Sequence, residues 1–276
     1  MNYLHLDHLF TPFGDSLKFE SFIFDGGEPH IKISESQLEG AITITHRIRS
    51  FNDLGLLLVA TDAVKRMGVK DIELFIPYFP GSRQDRLMVT GESLTVKVYA
   101  DLINAQQYKR VLIFDPHSDV TPALITNVKV LNNHKYVKHC LGELNDEVVL
   151  IAPDGGALKK IYKLSNYLGG LEVIECSKKR DINTGELTGF KVHQDDLRGK
   201  HCVIVDDICD GGGTFVGLAD SLKRKNAGDL SLIVSHGIFS KGLMPLENRF
   251  RNIFSTNSFK DFDDKILTQI PLQWLQ

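Results

Sequence analysis

The stretch VIVDDICDGGGTF (residues 203–215) sets an apolar run directly against paired acids, a third acid, three glycines and a threonine. Val203, Ile204 and Val205 form a short β-branched run that ends at a glycine loop, which is the pattern of a buried strand. From Thr214 onward, Phe215, Leu218, Ala219 and Leu222 recur at helical spacing, with Thr214 placed to cap the first turn. The segment therefore reads strand, glycine loop, helix. A helix that starts just after glycines presents unpaired backbone N–H groups and the positive end of its dipole, which suits a phosphate. A phosphate alone has no use for Asp206 and Asp207. Carboxylates beside an anion repel it, so they imply sugar hydroxyls to hydrogen-bond or a divalent cation close by. The loop points to a phosphorylated sugar. A purely structural turn is the competing reading, since glycine-rich strand-to-helix turns are common in α/β proteins. The loop has neither the Lys-Ser/Thr ending of a P-loop nor the spacing of a dinucleotide fingerprint.

The chain around it has 276 residues and a formal net charge of -3, enough length for two domains and no basic footprint for nucleic acid or an anionic membrane. Its four cysteines, Cys140, Cys176, Cys202 and Cys209, have no C-x-x-C spacing, which fits a reducing compartment and a structural role. The start, MNYLHLDHLF, lacks the basic region and apolar core of a signal peptide, and no apolar run approaches membrane-spanning length. These features predict a cytoplasmic protein without nucleic-acid or membrane partners.

Outward from the loop, strand-like and helical patterns alternate. Strand-like runs at 19–24, 31–34 and 41–45 precede a helical pattern over 53–67, strand-like IELFIP (72–77), a helical stretch over 93–103 and RVLIFD (110–115). After a polar, poorly patterned stretch over 132–145 the alternation restarts with EVVLIAP (147–153), a helix over 157–168, LEVIEC (171–176), HCVIVDD (201–207), a helix over 214–225 and LSLIVSHGIF (230–239). Such alternation predicts an α/β protein with two similar halves, 1–142 and 143–276, each a mainly parallel sheet flanked by helices. The charged segment 177–197 reads as a mobile excursion between two strands, a hairpin with Thr184 and Gly185 near its tip.

Ligands collect at the carboxyl ends of strands in open α/β sheets. Four segments occupy such ends: PYFPGSRQDR (77–86), DPHSD (115–119), PDGGA (153–157) and DDICDGGGT (206–214). Arg83 and Arg86 have the fork geometry that grips phosphate oxygens, against the plainer reading of a solvated charge run. His117 between two acids suits a metal or phosphate, and Asp154 suits Mg²⁺, against the plainer readings of an exposed histidine and a helix cap. Lys178, Lys179 and Arg180 form a basic arm after a strand, a means of bringing positive charge onto a transferring phosphoryl group.

Taken together these motifs resemble the ribose-phosphate pyrophosphokinases, also called phosphoribosyl pyrophosphate (PRPP) synthetases. VIVDDICDGGGTF resembles the PRPP-binding signature shared with type I phosphoribosyltransferases, whereas IPYFPGSRQDR (76–86) and GESLTVKVYADLI (91–103) resemble the ATP-site region of the synthetases alone. FDGGEPHIKI (24–33) is similar to the family's adenine-side loop and SKKRD (177–181) to its catalytic arm. The resemblance implies two tandem phosphoribosyltransferase-like domains and transfer of the β,γ-diphosphoryl group of ATP to ribose 5-phosphate, giving PRPP and AMP. It also implies a Mg²⁺ cofactor and a homo-oligomer, dimer or higher. By the same resemblance Phe24, Glu28, Arg83, Gln84, Arg86 and His117 bind ATP, and His117 and Asp154 serve the metal. Asp206 and Asp207 hold ribose hydroxyls, Asp210, Gly211, Gly212, Gly213 and Thr214 cradle the 5-phosphate, and Lys178 and Arg180 are catalytic.

Several positions depart from the family's usual pattern: Gly211 stands where a threonine is common, removing one hydroxyl donor; DPHSDVTPAL keeps the histidine but not the usual residues after it; Gly26 replaces a polar residue in the adenine loop; and PDGGA has its glycines one position early. Two other readings stand beside the synthetase. One is a type I phosphoribosyltransferase, which needs only a single α/β domain; the other is a catalytically silent synthetase-associated regulatory subunit, against which Lys178 and Arg180 argue.

Overall fold

The structure, a computed structural model, describes residues 2–144, 146–180 and 187–273, with the side chains of 179, 180, 187 and 188 outside that description. The chain forms two compact units. The first comprises residues up to Asn132, together with Ser258–Asp261 and the chain from Pro271; the second comprises Asn133–Asn257 and Phe262–Ile270.

The first unit runs β1 (Asn2–His5), β2 (Phe19–Ile23), β3 (Pro29–Ile33), β4 (Ile42–Thr45), α1 (Phe51–Arg66), β5 (Ile72–Ile76), α2 (Thr95–Asn104), β6 (Arg110–Phe114), α3 (Val120–Leu124) and β7 (Val128–Leu131). Its main sheet has the order β1-β4-β5-β6-β7, parallel at every pairing. Fully buried runs such as IELFI in β5 are what a parallel sheet covered on both faces requires. The helix α1 starts where Ser50 caps the Asp53 N–H at 3.2 Å while Asp53 Oδ2 takes the Ser50 hydroxyl at 2.9 Å. It buries Leu54, Leu57, Ala60, Thr61 and Val64, the stripe that helical spacing dictates. The runs at 19–24 and 31–34 do not join the parallel sheet: β2 and β3 pair only with each other, antiparallel, and the exposed faces of Phe22, Ile23 and Phe24 carry the apolar residues of that pattern outward.

The second unit runs α4 (His134–Leu144), β8 (Val148–Ala152), α5 (Leu158–Tyr167), β9 (Val173–Arg180), β10 (Leu187–Val192), β11 (His201–Cys209), α6 (Gly213–Lys223), β12 (Leu230–Gly237), α7 (Met244–Glu247), β13 (Asn252–Thr256) and β14 (Leu267–Ile270). Its sheet order is β10-β9-β8-β11-β12-β13-β14, parallel except for the antiparallel β10–β9 pair. That pair is the expected hairpin, although Thr184 and Gly185 lie outside the described residues. Two expectations move. The stretch 132–145 contains α4, whose Tyr136 hydroxyl donates to the Val234 carbonyl at 3.1 Å, so the unit boundary falls after Asn132 rather than at 142–143. The strand expected to stop at Asp207 runs on to Cys209, so both acids sit within the sheet rather than in the loop.

All four cysteines are free and buried. Burial pushes the thiols of Cys140, Cys176 and Cys209 up to about 12 and that of Cys202 to about 11, so none supplies a nucleophile near neutral pH. Among the described residues no helix is long and apolar enough to cross a membrane.

Candidate active site

In the second unit the site grows from the carboxyl ends of two adjacent parallel strands, β8 and β11. Residues Asp210 to Gly212 make the turn between β11 and α6, and Gly212 takes φ 76° as the helix N-cap, a left-handed conformation that glycine adopts without strain. Gly212 has no side chain to cap α6, so the N-cap residue satisfies none of the first-turn N–H groups, which stand at the positive end of an eleven-residue helix. Thr214 lies inside this first turn rather than capping it, because the helix begins at Gly213.

Asp206 and Asp207 stand just before that turn. The Asp207 N–H donates to Asp206 Oδ1 at 2.9 Å, and the two carboxyls lie close enough to hydrogen-bond each other. Crowding by protein raises the Asp206 carboxyl well above its ordinary value, and the neighbouring Asp207 and the field of Asp154 push it the same way. The residue as a whole is part-exposed, and its surroundings favour a proton on the carboxyl or a positive group beside it.

Asp154 follows β8. Its Oδ1 accepts the N–H groups of Gly156 at 3.0 Å and Ala157 at 3.2 Å, leaving Oδ2 to pair with Lys178 Nζ at 2.6 Å. Burial would raise this carboxyl, but the hydrogen bond and charge of Lys178 and the two amides outweigh it and hold it below the usual carboxylate range. Lys178 comes from β9, the strand beside β8, so sheet pairing brings the arm's lysine to the acid. The side chain of Arg180 lies outside the described residues.

The nucleotide-assigned residues belong to the first unit. Arg83 and Gln84 are exposed, and Arg86 is 71% exposed with its Nε 3.0 Å from Asp85 Oδ1. Asp85 is buried, with no hydrogen-bond partner at Oδ2. Burial would raise the Asp85 carboxyl, yet Ser118, Arg86 and His117 together hold it low, which places the RQDR turn beside the DPHSD turn after β6. Asp115 in that turn has φ 36° and is buried. Phe24 and Glu28 close the β2–β3 hairpin through a Phe24 N–H bond to the Glu28 carbonyl at 2.9 Å, and the Phe24 ring is 51% exposed.

Sequence reading missed Asp85 as the partner of Arg86 and His117, and Lys241, whose stem lies against Gly211. The acid inside RQDR was a visible signal for the first; nothing local marks the second. A cleft of about 470 Å³ lined by Asp146, His201 and Arg251 opens instead at the amino ends of β8 and β11. Its charges pair among themselves, as Arg251 does with Asp229 at 2.6 Å.

A magnesium ion takes oxygen donors and is often held by one or two carboxylates together with substrate phosphates. Asp154 meets that need, ionised and with one oxygen already facing a cation, while His117 offers a nitrogen, the weaker donor for a hard ion. No cluster of three or more metal-ligand side chains occurs among the described residues.

The comparisons with known proteins agree with this geometry. Residues 15–106 match the N-terminal domain of ribose phosphate pyrophosphokinase, and residues 128–262 match the phosphoribosyl transferase domain. A ribose-phosphate pyrophosphokinase from Pyrococcus abyssi is 30% identical over 246 residues, 86% of this chain and 82% of its own. One from Aquifex aeolicus is 32% identical over 228 residues, 79% of this chain and 70% of its own. The crystal structure of phosphoribosylpyrophosphate synthetase from Mycobacterium smegmatis superposes with TM-score 0.82 at 23% identity, covering 99% of this chain and 95% of that one, which shows the shared fold. With both family domains matched in order and a relative 30% identical over most of both chains, the chain belongs to the ribose-phosphate pyrophosphokinase family.

Proposed function

We propose that the protein transfers the β,γ-diphosphoryl group of ATP to the anomeric hydroxyl of ribose 5-phosphate, giving PRPP and AMP. The observation that carries this reading is the uncapped α6 N-terminus directly after two carboxylates, on a chain that also carries the synthetases' N-terminal domain. The α6 amides and the Gly211–Thr214 backbone take the 5-phosphate, and Asp206 and Asp207 accept hydrogen bonds from ribose hydroxyls. The anomeric hydroxyl oxygen attacks the β-phosphorus as the bridge to the α-phosphate breaks, AMP leaves with the electron pair, and the hydroxyl proton passes to water. Negative charge grows on that bridge and on the transferred oxygens, so cations aimed there lower the barrier more than any nucleophile would. Lys178 is such a cation. Its base is set by Asp154, and the remaining arm residue of this role is Arg180.

On the nucleotide side Arg83, Gln84 and Arg86 bind ATP, with Asp85 fixing the Arg86 fork, and Phe24 and Glu28 border the base. His117 in the first unit and Asp154 in the second are each residues that would serve Mg²⁺, which when bound would supply positive charge to the diphosphoryl group. Oligomerisation through a homo-oligomeric interface and a cytoplasmic location accompany the family reading. Purified protein incubated with ATP, Mg²⁺ and ribose 5-phosphate is expected to yield AMP and PRPP in equal amounts. Pyrophosphate release from PRPP and a nucleobase, without AMP formation from ATP, would replace the proposal by a phosphoribosyltransferase; binding of both substrates without turnover would replace it by a silent subunit.

A further inference from the structure

The phosphate loop has a neighbour that the sequence motifs do not assign. After β12 the chain turns back over the loop: the Ile238 and Phe239 N–H groups both donate to the Cys209 carbonyl, at 2.8 and 3.1 Å, and the Ser240 N–H donates to the Asp210 carbonyl at 3.2 Å. Phe239, buried and at φ 46°, and Gly242, at φ 70°, shape this turn, and the Gly242 N–H closes it on the Phe239 carbonyl at 2.9 Å. The turn is thus fastened to the backbone of the loop by three hydrogen bonds on one side and anchored by a buried ring on the other.

Lys241 sits at its crest. A Cβ built on Gly211 would stand 3.4 Å from Lys241 Cδ, 3.5 Å from Cε and 3.7 Å from Cγ. The lysine stem therefore lies along Gly211, within ordinary contact distance of a methyl group placed there, so a larger side chain at 211 would share its space with the stem. Among the described residues Lys241 makes no ion pair, so its ammonium is not spent on a carboxylate. The loop below it offers no side-chain donor at Gly211, Gly212 or Gly213.

We propose that Lys241 is a further binding residue for the sugar phosphate, its ammonium supplying to the 5-phosphate the donor that Gly211 lacks. The inference rests on reading 210–214 as the 5-phosphate cradle. A lysine acts on phosphate as a mobile point charge, whereas the threonine hydroxyl it replaces is a short neutral donor. The exchange makes phosphate binding in this chain more dependent on ionic strength. It also reverses a simple expectation: a threonine at 211 would not just add a hydroxyl, since its γ atoms compete with the lysine stem for the same space.

The test is calorimetric titration of ribose 5-phosphate at 50 and 200 mM salt. Lys241→Met is expected to weaken binding about ten-fold at the lower salt, to lose less affinity than the parent on going to the higher salt, and to leave ribose without its phosphate unaffected. Gly211→Thr is expected to gain nothing beside Lys241 but to recover affinity in the Lys241→Met background, so the pair is coupled rather than additive. Equal affinity and equal salt dependence in Lys241→Met and the parent would overturn the inference, as a solvated surface lysine requires. Thr214→Val and Gly212→Val separate this from failure of the cradle itself: if neither weakens ribose 5-phosphate binding, the loop reading falls and Lys241 with it. If either weakens it while Lys241→Met does nothing, the cradle stands and only the lysine's role is lost.

Discussion

The two units wind similar parallel sheets but finish their ligand ends differently. In the second unit the phosphate side is built from backbone: the α6 amides, a left-handed Gly212 and acids seated inside β11. In the first unit the nucleotide side is built from side chains, with Arg83 and Gln84 exposed and Arg86 fixed only at Nε by Asp85. Backbone amides in a helix turn lose no further freedom when a phosphate arrives. An exposed arginine does, with up to about 2 kcal/mol of rotamer entropy at stake for each. On the proposed function, the sugar-phosphate side is the preorganised one, and the exposed Gln84 and Arg86 of the nucleotide side lose freedom when their ligand binds.

The comparison breaks most readily at Lys178. Because its charge meets the diphosphoryl group only as that charge develops, Lys178→Met is expected to lower kcat by about 100-fold or more while ribose 5-phosphate affinity stays at the parent value. Matching turnover numbers would remove Lys178 from the chemistry and leave its bond to Asp154 as a structural tie. On the nucleotide side, Arg83→Ala is expected to weaken ATP binding about ten-fold, roughly 1.4 kcal/mol, and to reduce its salt dependence. Unchanged ATP titrations would make that segment a solvated charge run.

A smaller effect separates preorganisation for ligand from stability. The folded-state pKa of Asp206 is raised, first by burial and then by Asp207 and Asp154, so the folded protein binds more protons than the unfolded chain above the ordinary carboxylate value. Stability contributed by this residue therefore falls as pH rises from about 4 toward the raised folded value. Asp206→Asn should remove that fall. Differential scanning calorimetry of the ligand-free variant at neutral pH is expected to give a melting temperature a few degrees higher, roughly what 1 kcal/mol produces, with the gain vanishing near pH 3. Ribose 5-phosphate affinity should drop in the same variant. A lower melting temperature at neutral pH would show that the acid pair supports the apo fold instead of being held against it for the sugar.

Much of this was legible locally. The strand, loop and helix of 203–215, the acids beside them and the arginine turn are short-range patterns, and the buried runs of β5, β8 and β11 are continuous enough to read as parallel strands. The α4 segment escaped because HKYVKHCLGEL hides its buried Tyr136, Val137, Cys140 and Leu144 among polar residues. The four- and five-residue elements β1, α3, β7, β13 and β14 are too short to carry a period.

By itself the sequence determined the chemistry on offer: a phosphate-binding turn, carboxylates for a sugar and a metal, cations for a transferring group, and two α/β halves to hold them. The tertiary structure alone decided which of these meet. Lys178 reaches Asp154 because β9 lies beside β8, and the 23 residues between Asp154 and Lys178 say nothing of that adjacency until the crossover is made. Lys241 reaches Gly211 because the turn after β12 is hydrogen-bonded to the end of β11. Residue type and local spacing fix what a group can do, but parallel sheets pair strands through long crossovers, so the partner of each group is set by strand order, which no local pattern encodes.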